Sequence, residues 1–393
     1  MPPPNVESIW TRAFALLCLA EFLGYAQHFI LQPTFPLYIT HLGGSPFIVG
    51  LVIASFGVTS VISRPIIGYW ADRWSVTGVM ILGLFTQTFA NLICFIPYSG
   101  ATMLANGVRG IGWSGMNTGG YTLLATAAPA DRRGEASGYY GGVQSTATIL
   151  FPAVALWIIE APYGGFNAVF SVAMSLVLVG AAAAYLLSRQ VPPQRVRSDV
   201  EASATWWREI INVFDRHILL AAMLLFTLHL SLPSLSSFVV LYAKQLGIGQ
   251  FGWYYVVVGI TSTLARPLLG RLSDKIGCGR SLLVAFGFET AALLMMPVVK
   301  SLAGLMIAGA IWYVGSAIGG ARILALAMER APVERRGRAM ASFSVAFPLS
   351  NGTGALLNGI VVDLAGYAWM YFTAAVLCSV GFALTAKNWS SLK

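Results

Sequence analysis

Twelve apolar stretches, each long enough to cross the hydrocarbon core of a bilayer, follow one another along this chain with only short breaks. They cover 10–40, 46–70, 78–97, 99–128, 135–159, 166–188, 217–243, 250–271, 281–299, 302–328, 338–362 and 367–386. Roughly 20 helical residues span a core about 30 Å thick. Lipid offers no partner to a bare backbone, so only helices and closed barrels can cross. Barrel strands alternate at every second position, whereas these stretches are apolar on all sides and rich in glycine. The chain is expected to be an all-α integral membrane protein with twelve transmembrane helices. Composition agrees: 10% of its residues are charged, against about 25% in a soluble domain.

Basic residues concentrate in cytoplasmic loops and so orient the thread. Arg12, Arg73, Arg132, Arg133, the cluster within 189–216, Arg271, Lys275, Arg280, Arg330, Arg335, Arg336, Arg338, Lys387 and Lys393 fall on one side, and only Lys244 and Lys300 on the other. Both termini are therefore expected in the cytoplasm, with the chain multi-pass in the inner (plasma) membrane. The formal net charge of +9 answers to topology and to anionic lipid, and no nucleic-acid partner is expected. The N-terminus lacks the basic, short apolar and small-residue pattern of a removed signal peptide, so the first span is expected to stay.

Cys18, Cys94, Cys278 and Cys378 form no CxxC and have no histidine at ligand spacing, which points to neither a disulfide framework nor a metal site. The run GIGWSG at 110–115 satisfies G-x-G-x-x-G. It lies inside an apolar stretch with no strand before it, so it packs helices rather than cradling phosphate. Walker, HExxH and GxSxG patterns are absent from the sequence, which argues against direct ATP drive and hydrolysis. No enzyme activity and no cofactor are expected.

The sequence is also duplicated. RPIIGYWADR at 64–73 and RPLLGRLSDK at 266–275 share Arg-Pro-apolar-apolar-Gly-x-x-x-Asp-basic. At nearly the same offset PADRRGEA at 129–136 matches PVERRGRA at 332–339, and PLY at 36–38 faces VLY at 240–242. Twelve helices are thus six helices repeated, in two pseudo-symmetric six-helix bundles over 1–188 and 217–393. The cytoplasmic linker 189–216 carries TWWREIINVF, whose aromatic and charged faces suit an interfacial helix.

Two parallel six-helix halves with this motif resemble the major facilitator superfamily over nearly the full chain. The family signature between helices 2 and 3 is matched by Gly68, Ala71, Asp72 and Arg73, and again by Gly270, Asp274, Lys275 and Gly277, with Arg280 retained only in the second copy; WSVTG follows Arg73 in the first. The resemblance implies a cytoplasmic gate built from Arg64, Gly68, Asp72 and Arg73 with Arg266, Gly270, Asp274, Lys275 and Arg280. Its glycines would let helices approach closely, and its aspartates would accept from a helix N-terminus or an arginine. Ordinary loop charges that only fix topology are the alternative.

Charges at membrane depth are few, costly and functional by default. Glu21 is about eleven residues into helix 1 and Arg109 about ten into helix 4, from opposite sides, so they are expected at similar depth and within reach of each other. Tyr25, His28 and Gln32 follow Glu21 at spacings of four, seven and eleven, giving helix 1 one polar face that should line water. Arg109 also resembles the family's helix 4 arginine of proton-coupled members, although the glycines after it are shifted. Glu21, Arg109 and His229 are thus the candidate proton-coupling residues, the alternatives being a static ion pair and a packing histidine. Tyr25, His28, Gln32, Trp113, Asn117, Tyr254, Trp312, Tyr313 and Arg322 are the candidate cavity residues, with packing, or snorkelling for Arg322, as the alternative. Glu289 is expected to partner a polar neighbour.

The resemblance implies a monomeric secondary transporter working by alternating access, with a small-molecule substrate, protons as coupling ion and the lipid bilayer as surroundings. Helix 1 and the repeated motif are similar to bacterial drug and metabolite exporters, which favours proton-coupled efflux of an amphipathic compound. The family's helix 5 antiporter motif survives only as Pro152 in ILFPAVALW, which keeps a proton-coupled importer or a uniporter as the alternative. A receptor or membrane enzyme on the same scaffold is the rival from another class, and proton-dependent flux in proteoliposomes separates it.

Overall fold

The computed structural model describes residues 9–127, 132–191, 218–331 and 336–392. The expected interfacial helix and most of the paired loop motif therefore lie outside the described residues. Within them, twelve membrane-length helical elements follow in order: α1 (Arg12–His41), α2 (Pro46–Arg73), α3 (Val76–Ile93), α4 (Ser99–Ala127), α5 (Arg133–Glu160), α6 (Phe166–Ser188), α7 (Leu219–Gln245, in three pieces), α8 (Gly252–Ile276), α9 (Cys278–Met295), α10 (Leu302–Arg330), α11 (Arg336–Ala365) and α12 (Tyr367–Lys387). All but α4 and α8 are both long and apolar enough to cross a membrane. These two are of matching length and carry more polar side chains.

Local chemistry sets several boundaries. Thr11 Oγ1 accepts from Phe14 N at 3.1 Å and Ser75 Oγ from Gly78 N at 3.0 Å, each satisfying one orphan donor of a first helical turn. Pro46 opens α2, where its missing N–H costs nothing. The chain turns from α8 into α9 through Gly277 at φ +86°, a left-handed conformation that a side chain resists.

In the first bundle α1 packs on α5 and α6, α2 on α4, and α3 on α4 and α6; in the second, α10 packs on α7, α8 and α9, and α12 on α9 and α11. The bundles meet along α2–α11 and α5–α8. The α2–α11 seam is backbone against backbone. A Cβ on Gly50 would lie 2.5 Å from the Ala355 carbonyl oxygen, one on Gly57 2.6 Å from that of Pro348, and one on Gly359 2.6 Å from that of Pro46.

An even number of spans puts both chain ends on one face, called here the terminal face; the opposite face is distal. On the distal side a single apolar core joins the halves, with Ile30, Phe35, Ile39 and Val52 packed into the same cluster as Phe238, Val239 and Tyr242. Trp157 and Trp253 meet edge-on across the α5–α8 seam at 5.8 Å. Toward the terminal face the core of Phe14, Leu17, Met80, Leu84 and Ala184 belongs to the first bundle alone. Gly68, Gly138 and Gly320 have nothing within 4 Å of where a Cβ would stand. Among the described residues, the halves are packed together on the distal side and share no apolar core toward the terminal face. The close helix approach expected at Gly68 is accordingly not made here; on α2 it falls at Gly50 and Gly57.

The repeats differ in their first helices. α1 runs unbroken through Pro33 and Pro36, whereas α7 is split into Leu219–His229, Leu232–Ser236 and Val239–Gln245. Carbonyls at a break inside a membrane need partners. Tyr371 Oη donates to Ser234 O at 3.3 Å, Tyr254 Oη to Leu235 O at 3.0 Å and Tyr255 Oη to Ser236 O at 2.8 Å, while Trp312 Nε1 donates to Ser231 Oγ at 3.0 Å. Tyr254 and Trp312, expected in the cavity, are fully buried and clasp α7 instead.

Candidate functional site

A cavity lies between the bundles, bounded by α1, α2 and α4 on one side and by α7 and α11 on the other. Asn106 organises its wall. Its Nδ2 donates to Val52 O of α2 at 2.7 Å, and its Oδ1 accepts from Arg109 Nη1 at 2.6 Å. Arg109 Nη2 reaches α1, 3.3 Å from both His28 Nδ1 and His28 O. A guanidinium can only donate, so His28 Nδ1 is the acceptor and its ring proton sits on Nε2. The imidazole lies 4.2 Å from the Trp113 ring, and the guanidinium faces Phe35 at 5.1 Å. Arg64 lines the same cavity and donates from Nη1 to Ser344 Oγ at 2.9 Å and Ser344 O at 3.0 Å, across the seam.

The expected Glu21–Arg109 pair is not formed. Helices of 30 and 29 residues are about 45 Å long at 1.5 Å per residue, well beyond the hydrocarbon core. Glu21 lies about 14 Å from the terminal end of α1, and Arg109 about 15 Å from the distal end of α4. They are consequently offset by about 15 Å, and Arg109 meets α1 at His28, two turns beyond Glu21.

Glu21 has a separate pocket. It is fully buried, with Gln144 Nε2 of α5 3.5 Å from Oε2 and the Tyr140 hydroxyl beside the carboxyl. Gly120 on α4 leaves the space both groups occupy. Gln144 Oε1 in turn accepts from the exposed Tyr121 at 3.3 Å. A polar line thus leads from a buried acid to an exposed tyrosine. Between the two sites Tyr25 Oη donates to Asn117 Oδ1 at 3.0 Å, and its ring packs on Trp113 at 4.7 Å.

Of the expected cavity residues, His28, Gln32 and Trp113 line this space together with Arg109, while Tyr25 and Asn117 stand in the layer toward Glu21. Tyr313 packs edge-on against Trp312 at 4.9 Å. Arg322 faces Glu329 of its own helix at 3.7 Å, toward the terminal face rather than the cavity, as a snorkelling arginine does. His229 Nδ1 donates to Leu225 O at 3.2 Å, with its ring edge-on to Phe347, a cavity residue. Glu289 accepts from Cys378 Sγ at 3.4 Å. In the repeated motif, Arg73 stacks over Tyr69 at 4.7 Å and Lys275 and Arg280 are exposed. The side chains of Asp72, Arg266 and Asp274 and the surroundings of Gly270 lie outside the described ones. Sequence reasoning missed Asn106, Ser237 and Asn351, each a small polar residue inside a long apolar run.

Comparison with known proteins gives a consistent result. The family model described as Major Facilitator Superfamily matches residues 17–321 and 234–387. The chain is 25% identical to a multi-drug resistance efflux pump PmrA homolog of Lactococcus lactis, over 97% of this chain and 94% of that one. It is 24% identical to the multidrug resistance protein MdtG of Citrobacter koseri, over 100% and 98%. Among solved structures, a bacterial homolog of the human lysosomal transporter Spinster, inward-facing and unoccupied, superposes with a TM-score of 0.76 at 14% identity, over 95% of each chain. A POT family peptide transporter superposes at 0.78 and 13%, over 97% and 95%.

Proposed function

The chain belongs to the Major Facilitator Superfamily and is a membrane transporter rather than an enzyme, and on that premise we propose that it exports a small amphipathic compound in exchange for protons. Efflux is supported by relatives named as multidrug efflux pumps that match along almost the whole chain. Coupling is supported chiefly by one observation, the buried Glu21 joined through Gln144 to the exposed Tyr121. An acid in that setting carries a proton in from the distal side and releases it along this line at the terminal side, opposite to the outward movement of substrate. Both termini, and the linker 189–216 between halves 1–188 and 217–393, are assigned to the cytoplasm, and the working unit to a monomer. The described state is then open to the cytoplasm, and substrate binds between the halves near the midplane.

Flux in proteoliposomes, with a substrate drawn from a thermal-shift screen, tests this. Glu21→Gln keeps shape and hydrogen bonding but cannot titrate. Uphill flux driven by a pH gradient should vanish, while exchange down the substrate gradient survives. Uphill flux retained in Glu21→Gln would remove Glu21 as the carrier and turn attention to His229.

A further inference from the structure

We propose that the cavity between the bundles is an oxyanion site and that the transported compound is an amphipathic organic anion, its carboxylate or phosphonate seated on Arg109 and Arg64. The inference deepens the export reading and rests on it for the idea that a small solute binds there. It starts from an imbalance of charge. Arg109 is 2% exposed, yet among the described residues its hydrogen-bond partners are an amide, an imidazole and a carbonyl, all neutral. Its Nε is buried with no partner at all. Glu21, the acid expected beside it, is two turns away.

The second cation of the cavity, Arg64, is likewise bound, among the described residues, to a serine hydroxyl and carbonyl. Among the described residues, no aspartate or glutamate lines the space. A buried cation without a counterion is costly to maintain, and an arginine fork matches a two-oxygen anion better than any other partner. The opposite wall supplies Ser237 and Asn351 as neutral donors. Apolar contact comes from Phe35, Phe56, Trp113 and Phe347, which suits an aromatic or aliphatic body behind the charged head. The cavity is about 90 Å³, small against the roughly 300 Å³ and more of drug-sized sites. In the closed-distal state it holds the head group, and the body extends toward the terminal side.

Equilibrium titration of the purified full-length protein decides the matter with a matched set of probes: 4-phenylbutyrate, phenylpropylphosphonate, 4-phenylbutyramide and 4-phenylbutylamine. The carboxylate or the phosphonate should bind at least tenfold more tightly than the amide and the amine. Arg109→Gln should erase that preference, and Arg109→Lys should restore part of it, because a point charge replaces a fork. Should Arg109→Gln not fold, Arg64→Gln serves as second variant, with an expected loss of at least threefold. Equal or tighter binding of the amine, binding of the anions unchanged within twofold in the folded variant, or no anion binding below 10 mM each overturns the proposal. Titration without a gradient reports neither coupling nor direction. Intact anion binding with no pH-driven flux therefore defeats the export reading alone, and pH-driven flux of a cation defeats the anion site alone.

Discussion

Asp363, at the distal end of α11, holds Ser45 of the opposite bundle: its Oδ2 accepts from Ser45 Oγ at 2.9 Å and from Phe47 N at 3.1 Å. Phe47 N is one of the orphan donors in the first turn of α2. A carboxylate there satisfies the donor and complements the positive end of the helix. The second half of the protein thus caps a helix of the first, and the cap exists only while the distal side is closed.

Removing that cap should favour distal opening. The bonds are exposed, so Asp363→Ala is worth about 1 kcal/mol, or roughly fivefold in the ratio of distal-closed to distal-open forms. The native cysteines are all buried, so labelling of Ser237→Cys by an impermeant thiol reagent in intact cells reads the change. The rate should rise about fivefold; an unchanged rate would show that the cap bears no part of the closure.

The glycine seam predicts a contrast between two substitutions of equal size. Gly57→Ala drives a methyl toward the Pro348 carbonyl oxygen and should lower stability by about 1–3 kcal/mol, seen as a lower melting temperature in detergent. Gly68→Ala meets nothing and should melt like the wild type. Should transport nevertheless fall in Gly68→Ala, the collision must occur in the state closed at the terminal face, as the gate reading requires. Normal transport would count against a close approach there.

Tyr254→Phe leaves the Leu235 carbonyl without its partner in a buried break, at a cost of about 1–3 kcal/mol. Its effect should be on melting temperature and not on substrate affinity, because Tyr254 does not border the cavity. An affinity loss beyond threefold with unchanged melting would reverse that assignment.

Asp72→Asn and Asp274→Asn should each slow transport at least tenfold without lowering the amount inserted, since each removes a gate acceptor and little volume. The second should be the more severe, its motif being the more complete. Wild-type turnover in both, measured at equal protein level, rules out the gate.

Spans, duplication and family were all legible in the sequence because they rest on long runs, which tolerate errors of several residues. The Glu21–Arg109 offset was not, because counting from helix ends assumes helices as short as the bilayer is thick, and α1 and α4 overrun it. Cavity aromatics and packing aromatics carry the same signature at the same depth. Tyr254 could be told from Trp113 only by the break in α7, which no local pattern in that stretch announces. Glu289 was read as needing a polar partner, but Cys378, 89 positions away, is fixed only by the packing of α12 on α9.

The tyrosine clasp on α7 makes two halves of repeated sequence mechanically unequal. Hydroxyls from α8 and α12 grip three successive carbonyls, so any tilt of α7 must carry both neighbours with it and the second half travels as a block. In α1, Pro33 and Pro36 strip the Phe29 and Gln32 carbonyls of their helical donors and leave a soft joint directly above His28. Flexure during the transport cycle should therefore concentrate in the first half, beside the arginine, with the second half serving as the stiff frame against which it bends.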